Sequence, residues 1–307
     1  GYTKKEASAK KESFTVAIMQ PNTHKLLLEG APAAIARSIT KQIKGLEGKG
    51  AKFIIWPESS LYGTFQTGDF FDFMQASSVA LNAYQLVGSA YEDAKGDYVS
   101  AGLFGQEGIL DVYHKNKLVP FGEFLPLNNI FGGVYKDLAV TSFTGDFLEG
   151  KTAAKVFELD INNGAKTNKY KFGASICFES LFPNIWRKQA QNGAQFFVNI
   201  SNDGWFGDTA APYQHLRINV LRAVENGRAI LRSANTGVSA WIDERGKVRF
   251  QTALNTQATA VFSFNFQTDA KKTFYTLYGD IFAIICLVIS LSALIYTIVF
   301  LNTGTYD

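Results

Sequence analysis

The chain has 307 residues, enough for one large domain or two small ones, and 47% of them are hydrophobic, which supports a substantial core. A net charge of only +3 argues against nucleic acid as a partner. His24, His114 and His215 are scattered, and no Cys/His cluster has metal-ligand spacing, so no metal site is expected.

Residues 1–13 read as a polar linker. The run FTVAIMQ at 14–20 predicts a first strand. Helical periodicity spans 32–46, with Pro32 suited to a first turn and Gly48 and Gly50 punctuating its end. KFIIW at 52–56 is a short buried strand that runs into Pro57 and Glu58. A helix is predicted at 70–80. Strands follow at 85–90 and 98–106, joined through the turn-like DAKGD. Another strand is predicted at 112–119, then an irregular aromatic loop at 120–135. Strands at 155–159 and 171–176 flank an Asn/Gly-rich turn. The second of them ends at Cys177, with a helix expected to follow. Helices at 183–192 and 211–226 bracket the strand QFFVNI at 195–200. Segments 230–233, 238–242, 248–251 and 259–264 read as closing strands. Strands alternating with helices imply a layered α/β catalytic domain over 14–268. A connector at 269–280 then leads to a charge-free apolar run at 281–301, IFAIICLVISLSALIYTIVFL, long enough to cross a bilayer as a helix. Tyr275, Tyr278 and Tyr296 suit its interfaces. Residues 302–307 form a short tail.

Three residues each end a predicted strand or lie close to such an end: Glu58, Lys115 and Cys177. Strand ends in a parallel-type sheet gather on one edge, so these three can meet. Together they suit acyl transfer. The carboxylate takes the thiol proton, the thiolate attacks a carbonyl, and the ammonium stabilises the oxyanion. A helix N-terminus and a nearby cation are expected to favour the Cys177 thiolate. Cys286 lies in the apolar C-terminal run, so no disulfide with Cys177 is expected.

Several segments carry a family resemblance: WPES at 56–59, YHKNKLVPFGEFLP at 113–126, CFES at 177–180, NISNDGWFGDTAAPYQHLR at 199–217, RAVENGR at 222–228 and RSANTGVSAWID at 232–243. Over residues 14–265 the chain resembles the carbon–nitrogen hydrolase (nitrilase) superfamily. More narrowly, it resembles the nitrilase-like domain of the apolipoprotein N-acyltransferase family, to which LVPFGE, SNDGWFG and a terminal membrane span are specific. The resemblance implies a four-layer α-β-β-α sandwich followed by one transmembrane helix. It implies Glu58 as general base, Lys115 as oxyanion-stabilising lysine and Cys177 as nucleophile. Glu123 matches a supporting glutamate and Glu179 a further active-site glutamate. Phe178 stands where the family often has tyrosine, and its backbone N–H is a candidate oxyanion donor.

The implied reaction is ping-pong. Cys177 takes an acyl chain from a phospholipid as a thioester, and the N-terminal amine of an S-diacylglyceryl apolipoprotein then attacks it. No cofactor or metal is implied. The expected setting is the bacterial cytoplasmic membrane, with the catalytic domain on its outer, periplasmic face. The family usually carries a bundle of membrane helices before this domain; these would lie outside this chain. Aromatic stretches at 62–73 and 121–135 suit either acyl chains and a membrane interface or packing in the sandwich core; Trp205 and Phe206 suit the first, and Phe121, Phe124, Trp205 and Phe206 are the candidate substrate contacts. Gly63, Gly68, Gly132 and Gly133 suggest mobile lids over the site. Two alternatives carry different chemistry. A membrane-anchored amidase or nitrilase would use water in place of the amine, and a lipid- or lipoprotein-binding subunit would have a silent site.

Overall fold

A computed structural model describes residues 10–24, 29–59, 64, 66, 68–127, 146–162 and 166–298. The first sheet is built from β1 (Lys11–Gln20), β2 (Phe53–Ile55), β3 (Tyr84–Asp93), β4 (Gly96–Gly105), β5 (Gly108–His114) and a late strand, β12 (Ala258–Gln267). The second holds β6 (Val156–Asn162), β7 (Thr167–Ile176), β8 (Phe196–Ser201), β9 (Ala229–Ala234), β10 (Ala240–Ile242) and β11 (Val248–Gln251). Strand order is β12-β1-β2-β3-β4-β5 in one and β11-β10-β9-β8-β7-β6 in the other. β1, β2 and β3 are parallel, as are β7, β8 and β9.

The residue pattern explains the difference between inner and edge strands. FII in β2 and FFVNIS in β8 are buried on both faces, as parallel strands covered on each side must be. VFELDIN in β6 alternates buried and exposed, the mark of a strand with one face on the core.

The inner faces of the two sheets share one core, in which Phe14, Phe53, Phe172 and Phe196 interdigitate. Helices α1 (Pro32–Lys44) and α2 (Gly68–Leu81) cover the outer face of the first sheet. Helices α3 (Pro183–Gln191) and α4 (Ala211–Asn226) cover the second. The result is the expected α-β-β-α order. A short helix, α5 (Phe274–Tyr278), packs on α3 and α4. It leads into α6 (Ile281–Tyr296), all of whose residues are exposed.

Several expectations need correcting, and residues 11–13, read as the end of a polar linker, already belong to β1. The strand predicted at 112–119 ends at His114. Beyond it the N–H groups of Asn116 and Lys117 donate to the Glu179 carboxylate, so no ladder continues. The strand predicted at 238–242 begins only at Ala240, because the Ser239 N–H is taken by the side chains of Gln20 and Thr252. Cys177 opens a single 3-10 turn, Cys177–Leu181, and the α-helix begins later, at Pro183. Of the two readings for the 62–73 aromatics, Phe70, Phe71 and Phe73 follow the second and pack on the core under α2. Gly68 opens that helix, while Gly63, Gly132 and Gly133 lie outside the described residues. Among the described residues no helix is long and apolar enough to cross a membrane; the end of the 281–301 run lies beyond them.

Candidate active site

Strand ends deliver the three candidate residues to one place, but from both sheets, and β5 pairs antiparallel with β4. Glu58 follows β2 and Lys115 follows β5. Cys177 follows β7 across the sandwich. Lys115 is fully buried, with its Nζ 3.0 Å from Glu58 Oε1 and 2.5 Å from Glu123 Oε1. Glu58 Oε2 accepts the Asn202 N–H at 3.0 Å, and Glu123 Oε2 accepts the Val119 N–H at 2.9 Å. Glu123 therefore bonds both the lysine and a backbone amide.

Glu58, Glu123 and Cys177 all line a cavity of about 610 Å³, with Val99, Val119, Phe121, Phe147 and Trp205 among its apolar walls. Phe121 and Trp205 are exposed at it. Phe124 and Phe206 do not line it. The first lies in the turn after Pro120, and the second has its ring edge toward His215, 6.2 Å between centroids. Phe178 is half-buried and packs edge-on against Phe182. The packing of its aromatic ring thus needs no hydroxyl.

The charges settle one another. Burial alone would pull the Lys115 ammonium down, but Glu58, Cys177 and Glu123 push it above its ordinary value, so it remains a cation. Burial raises Glu123, with Lys115 pulling against it and Glu58 adding to the rise. The thiolate expected from sequence is overturned. Burial pushes the Cys177 thiol well above its ordinary 9.0, Glu58 and Asp203 push the same way, and Lys115 and a hydrogen bond from Ser201 only partly oppose them. Burial can shift such a group by roughly 3–5 units, whereas a helix terminus contributes about 0.3–1 kcal/mol. The thiol rests neutral and needs a base at the moment of attack.

This has a pH consequence. A raised thiol favours the neutral form in the folded state. Its contribution to stability is therefore present below about 9 and is lost as pH rises beyond it. Iodoacetamide is expected to alkylate Cys177 more slowly at neutral pH than a free thiol, with a rate still climbing above pH 9. Peptide mass mapping separates it from the exposed Cys286. A rate that levels off below pH 8 would contradict a raised thiol.

Glu179 reaches the site through the backbone. Its Oε1 accepts the Tyr113 hydroxyl at 2.8 Å and the Asn116 N–H at 2.5 Å, while Oε2 accepts the Ile176 N–H at 2.8 Å. It thus ties the segment carrying Lys115 to the strand end carrying Cys177. Burial pushes it up to about 7 against the pull of these donors and of Lys115. Glu179→Gln is expected to set an amide N–H₂ against one of these N–H donors. Chemical denaturation should then register a loss of about 1–3 kcal/mol; an unchanged midpoint would remove the tie.

Sequence spacing missed a second cluster. Donor atoms of Cys177, Asp203 and His215 lie within 4.8 Å of one another. The carboxylate already serves Arg232, at 2.7 Å, and His215 Nδ1, at 2.9 Å. Both imidazole nitrogens are engaged, since Nε2 lies 2.6 Å from Ser180 Oγ. A cation would compete with Arg232 for the carboxylate, so this donor set does not suit a metal. His24, the remaining histidine on the cavity, meets Asn202 through Nδ1 and the Trp205 ring at a centroid distance of 5.0 Å.

A profile of the carbon–nitrogen hydrolase family matches residues 15–268. The apolipoprotein N-acyltransferase of Geobacter metallireducens is 35% identical over 239 residues, covering 76% of this chain and 43% of that protein. The one from Synechocystis is 31% identical over 308 residues, covering 97% of this chain and 56% of that protein. The chain spans about half the length of these relatives. Among solved structures, a CN-hydrolase superfamily protein of Xanthomonas campestris superposes with a TM-score of 0.60 at 15% identity, covering 82% of this chain and 90% of that one. An amidase of Nesterenkonia gives 0.57 at 16% identity, with 81% and 92% covered. At these identities the likeness is one of fold.

Proposed function

The chain belongs to the carbon–nitrogen hydrolase family, and on that premise we propose that it transfers an acyl chain from a phospholipid to the N-terminal amine of a diacylglyceryl apolipoprotein. The observation that carries this reading is the Glu58–Lys115–Cys177 cluster opening on a cavity with apolar walls. Such a wall suits an alkyl chain better than a small polar amide. The apolipoprotein N-acyltransferases among its relatives support the same acceptor.

In the first step Glu58 takes the Sγ proton as sulfur attacks the ester carbonyl. The Lys115 ammonium and the Phe178 backbone N–H stabilise the tetrahedral oxyanion. The C–O bond then breaks, and Glu58 returns the proton to the departing lysophospholipid. In the second step the amine attacks the thioester, and Glu58 takes its proton and passes it to Sγ, so that the C–S bond breaks and Cys177 leaves as the thiol. The thioester stores the activated acyl group, so neither step calls on a cofactor. Glu123 shares the ammonium with Glu58 and holds it in place. Trp205 and Phe121 flank the acyl chain, and Phe124 and Phe206 act, if at all, from beyond the cavity wall.

The exposed apolar surface of α6 supports a membrane setting. Its sixteen residues reach about 24 Å at 1.5 Å each, and the whole 281–301 run would reach about 32 Å, against a hydrocarbon core of about 30 Å. In this reading lipid covers the helix, and the catalytic domain stands on the outer face of the bacterial cytoplasmic membrane. Hydrolysis by an anchored amidase has only the shared fold with the Nesterenkonia amidase behind it.

Intact mass spectrometry after incubation with phospholipid tests the proposal. A mass gain of one acyl chain, labile to hydroxylamine and passed on to a diacylglyceryl peptide, is the expected result. A thiol that stays unacylated yet hydrolyses a simple amide would move the assignment to the amidase.

A further inference from the structure

We infer that Asp203 and His215 are positioning residues that hold the nucleophile in its attacking conformation, acting on its backbone from behind the cavity. Cys177 has φ +47°, in the left-handed region that a non-glycine residue keeps only when its surroundings impose it. What imposes it is a buried chain of polar groups. Asp203 is 1% exposed and accepts from Arg232 at 2.7 Å, from Ser201 Oγ at 2.8 Å and from His215 Nδ1 at 2.9 Å. With a carboxylate at Nδ1 the ring carries its proton there. Its Nε2 then accepts the Ser180 hydroxyl at 2.6 Å, within the 3-10 turn that Cys177 opens.

The order carboxylate, imidazole, hydroxyl resembles a serine triad, but Ser180 is fully buried and cannot receive a substrate. The end of the chain that matters is the Ser180 hydroxyl, through which His215 holds the turn that sets the Cys177 backbone. Gly237 makes room for it, since a Cβ there would stand 2.0 Å from Asp203 Oδ2. Arg232 fixes the far side, donating to Asn199 and to the Val238 carbonyl as well as to Asp203. The neighbouring Asn202 N–H holds Glu58 at 3.0 Å. Residues 201–203 thus set base and nucleophile relative to each other, which gives the SND of the SNDGWFG segment a task beyond presenting Trp205.

The inference rests on the reading of Cys177 as nucleophile, and its test separates the two. The full-length protein in detergent is mixed with a p-nitrophenyl fatty-acid ester. Sγ attacks the ester carbonyl, p-nitrophenolate leaves with the bonding pair, and the thiol proton goes to Glu58, so a burst of colour counts acylation. In His215→Asn the amide meets Asp203 but falls short of Ser180, and the burst rate should drop on the order of a hundredfold, as for a misplaced reacting atom. The ester concentration at half-maximal rate should change by less than about twofold, because uniform binding is untouched. His215→Gln reaches as far as Nε2 and should restore most of the rate. Equal losses in the two variants, or a loss that follows melting temperature alone, would overturn the positioning role. A wild type that gives no burst would overturn the nucleophile assignment and this role with it.

Discussion

Cys177→Ala is expected to lose acyl-enzyme formation altogether, with no acyl mass gain at phospholipid concentrations that saturate the wild type. No other thiol can substitute, because Cys286 lies on the exposed face of α6, away from the cavity. Ser180 and Ser201 cannot replace it either, being buried and engaged by His215 and Asp203. The loss should be chemical and not a failure to fold. Alanine removes one sulfur atom, and any L residue at 177 faces much the same left-handed backbone. The melting temperature should therefore move little while turnover falls by at least about a thousandfold, the scale for deleting a nucleophile. Residual transfer within about tenfold of wild type would remove Cys177 from the mechanism.

Lys115→Ala should be almost as damaging, and in two separable ways. The ammonium is 0% exposed and lies between two carboxylates at 3.0 and 2.5 Å. Deleting it leaves Glu58 and Glu123 buried together without a counter-charge. Breaking a buried ion pair in this way costs about 3–5 kcal/mol, enough to lower the denaturation midpoint clearly. It also removes the oxyanion partner, for which a loss on the order of 10²–10³ in rate is typical. The variant can relieve part of the strain by protonating a carboxylate, which would disable Glu58 as base as well. The double variant Lys115→Met with Glu123→Gln tests the division. It restores shape and removes one unpaired charge, so stability should recover in part while activity stays absent. Substantial acyl-enzyme in either variant would refute the oxyanion role.

The elements were legible for local reasons. Apolar runs such as FTVAIMQ, KFIIW and QFFVNI match buried parallel strands closely, and 211–226 matches α4 in full. Where boundaries slipped, at His114 and Ala240, backbone donors were captured by Glu179, Gln20 and Thr252, side chains far away in sequence. The aromatic stretches divided in the same way. Trp205 and Phe121 reach the cavity, while Phe70, Phe71 and Phe73 fill the core, because a ring's sequence position does not say which side of a layer it meets.

By itself, the sequence determined that Glu58 and Cys177 lie at or just beyond strand ends, since strand length and punctuation are local properties, whereas the end of β5 at His114, which puts Lys115 just past it, came from the structure. Only the tertiary structure decided what they meet there. It brought Cys177 from one sheet to a lysine–glutamate pair on the other, put Glu179 between their backbones, and set Asp203 and His215 behind the nucleophile. It also reversed the expected ionisation of the thiol. The reason is that burial and charge pairing depend on three-dimensional distance, and desolvation of a buried sulfur outweighs the modest field of one helical turn.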